Sequence, residues 1–328
     1  MAVCFSFAAK HAKAVIHSVS MDFTIALTGA TGFIGDRVAR RLLGEGHKLR
    51  ALTRNTSDRS RLAGLNIDWV EGALEDLDSL RRLVCGVDSV VHCAGAVRGV
   101  TQAHFDRMNV DGVARLVQAV SEQHPVPRFL LISSLAAREP ELSYYAGSKR
   151  QAEVVLTDLA GNMPWIALRP PAVYGPGDKE MLPVWRWMSR GVAFEVVSAR
   201  ARLSMLYVDD LAEAILKCLV NQQSLNGIFE LHDGRPQGYS WQDIIATIKH
   251  VTAKRVRNVK VPLAVLKTVS SLNLSAARIF GYAPMLTPGK LRELRHPDWV
   301  CDNTAFSRKT GWEPRVMLEE GLRRTLEL

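Results

Sequence analysis

Tyr145 and Lys149 put a phenol and an ammonium four residues apart, one helical turn along one face of the segment 144–159. A nearby cation favours phenolate, drawing a tyrosine down from its ordinary value of about 10 toward the range in which it exchanges a proton with an alcohol or carbonyl oxygen. Ser134, at the end of the preceding apolar run, is placed to hydrogen-bond that same oxygen and fix it. A Tyr and Lys at this spacing also occur on ordinary exposed helices. The elements ahead of them therefore decide whether the pair does chemistry.

Those elements begin at 23–35. An apolar, β-rich run to Thr28 enters Gly29, Ala30, Thr31, Gly32, Phe33, Ile34 and Gly35, and Ile34, Val38, Leu42 and Leu43 follow at helical spacing. This reads as strand, tight turn and helix. Gly29 permits the turn, Gly32 lets the main chain approach a pyrophosphate, and Gly35 lets the helix pack on the strand. Thr31, Phe33 and Ile34 complete the cofactor-binding face, with the first helical amides toward the anion. A second strand, 47–53, ends where an NAD-preferring fold places an acid for the adenosine ribose. Here Thr53 and Arg54 stand instead, which favours the 2′-phosphate of NADP over NAD. After the strand 87–92, the small residues Ala94, Gly95 and Ala96 let a cofactor lie against the strand end. A nicotinamide so held would exchange hydride with the carbon whose oxygen Tyr145 serves.

Strand and helix patterns alternate through the first half, predicting a parallel sheet with helices on both faces. The fold class expected is α/β: a Rossmann-type doubly wound parallel sheet with a smaller C-terminal α/β substrate lobe. Residues 1–20 read as an extension or a mis-assigned start before Met21, in preference to a targeting segment, 21–168 as the NAD(P)-binding domain, and 169–328 as the substrate lobe, partly interleaved with the sheet. Ser240 and Asp243 have capping-box spacing ahead of a helix at 244–251. The run 262–282, apolar and poor in charge, reads as a core helix pair with a loop near Asn273, in preference to a pocket lining or a membrane-surface contact.

The 328 residues suffice for a full core, and a hydrophobic share of 47% is ordinary for a globular chain. The net charge of +9 suits anionic ligands or surfaces, while the scatter of Lys and Arg argues against a nucleic-acid tract. Five widely spaced cysteines favour reduced thiols and a cytoplasmic compartment, with Cys93, beside the cofactor, the candidate for modification. His232 and Asp233 have no partners at ligand spacing, so no metal is expected.

With these residues in view, the chain resembles the extended short-chain dehydrogenases/reductases of the NAD-dependent epimerase/dehydratase type. The resemblance is carried by TGATGFIG at 28–35, HCAGA at 92–96, NVDG at 109–112, ISS at 132–134, YAGSKRQAE at 145–153, RPPAVYGPG at 169–177 and YVDDLAEAI at 207–215. It implies that Ser134, Tyr145 and Lys149 form the catalytic set, that Asn109 supports it, that Lys149, Pro170 and Val173 also line the cofactor site, and that two copies pair through the helices around Asn109 and Lys149. The chain departs from the family at Gly72, Ala73 and Leu74, where an acid often meets the adenine; that contact would fall to backbone and Leu74. Dehydratases of the family usually carry an acid beside the catalytic serine, and Ser133, Ser134, Leu135 and Ala136 offer none, which argues against a dehydratase. An NADP-linked alcohol or ketone oxidoreductase acting on a small-molecule substrate is expected. The alternatives are a nucleotide-sugar epimerase, or a non-catalytic nucleotide-binding protein resembling the accessory subunit of respiratory complex I, suggested by LTPGKLRELRHPDWVCD at 286–302.

Overall fold

A computed structural model of the chain describes residues 22–198, 200–221 and 225–328. The extension expected at 1–20 lies outside the described residues.

In the first half the order is β1 (Thr24–Thr28), α1 (Phe33–Gly44), β2 (Lys48–Thr53), β3 (Ile67–Glu71), α2 (Leu77–Val84), β4 (Ser89–His92), α3 (Gln102–Asp106), α4 (Gly112–Ser121), β5 (Arg128–Ile132), α5 (Tyr144–Leu159) and β6 (Trp165–Arg169). The second half supplies β7 (Ala172–Tyr174), α6 (Leu182–Ser189), β8 (Val192–Glu195), β9 (Arg202–Leu203), β10 (Met205–Tyr207), α7 (Val208–Val220), β11 (Gly227–Glu230), β12 (Tyr239–Ser240), α8 (Trp241–Thr252), β13 (Arg257–Lys260), α9 (Leu263–Phe280), α10 (Pro288–Arg295), β14 (Asp298–Trp299), α11 (Thr304–Thr310) and α12 (Leu318–Leu326).

Seven strands form one parallel sheet in the order β11-β6-β5-β4-β1-β2-β3. The edge strand β11 comes from the half assigned to the lobe, and α7 likewise packs on α1. Period-2 alternation sends the two faces of β1 into different cores. Ile25 and Leu27 meet Leu42 of α1 and Ile215 of α7, whereas Ala26 meets Leu80, Leu116 and Leu156 of α2, α4 and α5. Strand order reverses between β1 and β4, so the crevice at their carboxyl ends is the ligand-binding edge of such a sheet. A third core, around Trp185, Tyr207, Trp241 and Leu322, holds the lobe together.

The capping box forms as expected: Ser240 Oγ accepts from the Asp243 amide at 3.1 Å, and the Ser240 amide donates to the Asp243 carboxylate at 2.9 Å. The helix pair expected at 262–282 does not. Leu263–Phe280 is one continuous helix with no Gly or Pro to break it. Asn273 instead donates across to the Leu286 carbonyl at 2.8 Å, and most of the helix surface faces solvent.

Candidate active site

Gly29 has φ +75°, which L side chains rarely adopt, and a Cβ there would stand 2.7 Å from the Ala94 amide. A Cβ on Gly35 would strike the Gly29 carbonyl oxygen. The turn is thus closed against β4 and α1 by glycine alone. Gly32 caps α1 without any side-chain hydrogen bond, leaving the first-turn amides at Phe33 and Ile34 free of a side-chain acceptor. This cradle fits a dinucleotide phosphate.

Across the crevice, Asn109 holds two segments together. Its side chain accepts from the Ala96 amide at 2.7 Å and donates to the Ala96 carbonyl at 3.0 Å and to Ser148 Oγ at 2.8 Å. Ser148 Oγ in turn donates to the Tyr145 carbonyl at 2.8 Å. Asn109 lies in a π-turn, Arg107–Asp111, that links α3 to α4, a distortion frequent at functional sites. Ser143 starts α5 by accepting from the Ala146 amide at 3.0 Å. Ser134 and Tyr145 come together, close enough for the serine hydroxyl to hold the phenol pKa down.

Lys149 is buried and donates to the Ile132 carbonyl at 2.9 Å. A Cβ on Gly95 would lie 3.5 Å from Lys149 Nζ and 2.8 Å from Asn109 Oδ1, so the cation faces the small-residue strip. Burial pulls the Lys149 pKa down to about 8, opposed by Cys93 and Glu153. The expected electrostatics of the pair are therefore corrected. Desolvation raises the Tyr145 pKa above its ordinary value, and the cation that opposes the rise is Lys290. Lys149 is turned toward the sheet and spends its charge there.

Lys290 was not visible in the sequence pattern. It enters from α10, 145 residues beyond Tyr145, with Nζ 5.9 Å from the phenol ring centroid and 2.8 Å from Glu293 Oε2. Partial desolvation works against the ammonium, whose side chain is still 47% exposed, but Glu293 outweighs it and the Lys290 pKa is raised. Glu293 also accepts from Ser143 Oγ, tying α10 to the N-terminus of α5. Arg98 pairs with Glu180 at 2.7 Å, and Glu180 also acts on the Lys290 charge.

Behind the site, Arg169 clamps the buried Glu153 through two hydrogen bonds of 2.8 and 2.7 Å, and Ser133 Oγ donates to the same carboxylate. The pair locks α5 to the ends of β5 and β6. Pro170 accepts from the Leu135 amide at 2.9 Å, setting the backbone beside Ser134, and Val173 packs partly against the core. Leu74 is 4% exposed and packed against Gly112, so its side chain belongs mainly to the core. Arg54 stands exposed after the buried Thr53 and has no ion pair among the described residues. Burial holds the Cys93 thiol at about 12, so it is protonated at neutral pH and poorly suited to the modification expected of it. Among the described residues no group of three or more His, Cys, Asp or Glu could hold a metal ion.

The family model described as "NAD dependent epimerase/dehydratase family" matches residues 25–231. The chain is 34% identical to a ceramide reductase of Caulobacter vibrioides over 92% of its own length and 93% of that protein's. It is 26% identical to a 2-alkyl-3-oxoalkanoate reductase of Stenotrophomonas maltophilia, covering 92% and 97%. The crystal structure of UDP-glucuronic acid 4-epimerase from Bacillus cereus, in complex with UDP-glucuronic acid and NAD, superposes with a TM-score of 0.73 at 17% identity over 93% and 98% of the two chains, a likeness of fold. The glycine cradle, the sheet order and these matches agree that the chain is an enzyme of the extended short-chain oxidoreductase and epimerase type, a member of the NAD dependent epimerase/dehydratase family.

Proposed function

We propose that this enzyme is an NADP-linked reductase of ketones carried on long-chain, amphiphilic molecules. The reading rests on Ser134 meeting Tyr145 at the mouth of the crevice, with Lys149 behind them facing Gly95. The substrate class is taken from the two reductases above, which share most of this chain's length.

The cofactor, when bound, supplies a hydride to the carbonyl carbon. Residues of the chain do the rest. The Gly29–Gly35 turn and the α1 amides would hold the cofactor's phosphates, the small residues Ala94–Ala96 would leave room for its nicotinamide end, and Lys149, facing that strip, would help to hold it there. Ser134 fixes the substrate oxygen, and Tyr145 gives it a proton as the carbon is reduced. The phenol then regains its proton from solvent, so ketone, hydride and proton yield alcohol. Because burial lifts the Tyr145 pKa above its ordinary value, the phenol is protonated at neutral pH and holds the proton that reduction consumes. The same reading has two copies pair along α4 and α5 and the enzyme work in the cytoplasm.

Arg54 is the residue assigned to the 2′-phosphate. Arg54→Asp should weaken NADPH binding by about tenfold or more while sparing NADH, since one charge-assisted contact is exchanged for a repulsion. Fluorescence titration with both cofactors checks this, and an unchanged preference contradicts the NADP assignment.

Lys290 tunes the acid. Its charge lowers the Tyr145 pKa against the effect of burial, so Lys290→Met should raise that pKa further. In alcohol oxidation the phenolate must act as base, and the rate rises with pH through this value. The rising limb should shift to higher pH. Lys290→Arg should restore it. A profile identical to wild type would exclude Lys290 from the proton-transfer step.

A further inference from the structure

The outward face of α9 is built for contact with something apolar. Val265, Val269, Leu272 and Ile279 recur at intervals of three, four and seven residues on one side, 48%, 49%, 65% and 77% exposed, and Phe280 continues the stripe at 78%. A helix docked on its own domain would bury such a stripe. Here only Leu266, Ser270 and Ala277 are buried, so α9 touches the lobe along a narrow seam and leaves its more apolar side in water.

Charge selects the occupant. Residues 244–292 contain nine Lys and Arg and no Asp or Glu, an excess equal to the net +9 of the entire chain, whose totals are 42 and 33. Lys254, Arg255, Arg257 and Lys260 are exposed just ahead of α9, and Lys267 and Arg278 are exposed on its polar side, away from the apolar stripe. A second copy would set two such basic faces against each other, which Coulomb repulsion opposes. The chain's own segment 1–20 carries Lys10 and Lys13 and no acid, so it too would be repelled. A surface both apolar beneath and anionic at its face satisfies both features. We propose that α9 and its basic flanks lie in the interface of an anionic lipid bilayer, with the apolar stripe among the acyl chains and the cations at the headgroups. No described helix is long and apolar enough to cross a membrane, so the contact is in the plane of the surface. Helix α10 packs on α9 and carries Lys290 to the Tyr145 ring, so the bilayer face and the crevice belong to adjoining elements.

The contact requires neither substrate nor cofactor, so its test is independent of the proposed reaction. The full-length protein should co-sediment with phosphatidylcholine vesicles containing phosphatidylglycerol, and about tenfold or more weakly with phosphatidylcholine alone. The double substitution Leu272→Glu and Ile279→Glu should cut binding to the anionic vesicles by about tenfold or more, with thermal midpoint and NADPH affinity unchanged because both side chains are exposed. Failure to sediment with anionic vesicles overturns the proposal. So does full binding by the double variant, which would reduce the effect to charge alone, or a dimer in gel filtration that the double variant dissolves, which would assign the face to a second copy.

Discussion

Tyr145→Phe should lower kcat for ketone reduction by about 10²- to 10⁴-fold, the range of a positioned general acid, while NADPH affinity stays close to wild type. The substitution removes one oxygen and keeps the ring that packs edge-on against Phe105. The Ser143 cap, the Ser148 hydrogen bond to the Tyr145 carbonyl and the Asn109 bridge all use backbone or other side chains, so α5 keeps its place. Pre-steady-state measurement of the chemical step separates this from slow product release. Retained turnover would mean that another group delivers the proton.

The second large effect is on stability. Arg169→Met should cost about 3–5 kcal/mol, because Glu153 is 2% exposed and would lose both of its guanidinium hydrogen bonds while staying buried. A drop in thermal midpoint of about 10 °C is the expected reading for a chain of this size. Adding Glu153→Met should recover part of the loss, since an apolar pair replaces a buried carboxylate left with only the Ser133 hydroxyl and the longer Arg150 contact at 3.7 Å. A single variant as stable as wild type would show that water reaches the carboxylate, contrary to its burial between α5 and β6.

The first of these effects was legible in the sequence and the second was not, since Arg169 and Glu153 meet only through the packing of α5 on β6. The glycine turn could be read directly because each glycine answers a local demand: positive φ at Gly29 and the absence of a Cβ at Gly35 are requirements of the turn itself. Tyr145 and Lys149 share a helix, so their spacing fixed their proximity to one strand end. Spacing could not tell where the Lys149 side chain would turn, and it turned to the Ile132 carbonyl and the Gly95 strip rather than to the phenol. Lys290 and Glu293 reach the site only through tertiary packing across about half the chain, and nothing local marks them. The α9 error has the same origin. An apolar helical run suggests a core, but burial depends on what else packs there, and the lobe core is already filled by Trp185, Tyr207 and Trp241.

The central claim is that hydride and proton meet on one carbonyl in the crevice between the Gly29 turn and Tyr145. Its most direct test is a single turnover with NADPH carrying deuterium at both C4 positions and a long-chain ketone, followed by mass spectrometry of the product. The account predicts one deuterium on the carbinol carbon with wild-type enzyme and none above background with Tyr145→Phe on the same timescale. Unlabelled product from the wild type, or equal labelling by both proteins, would contradict it.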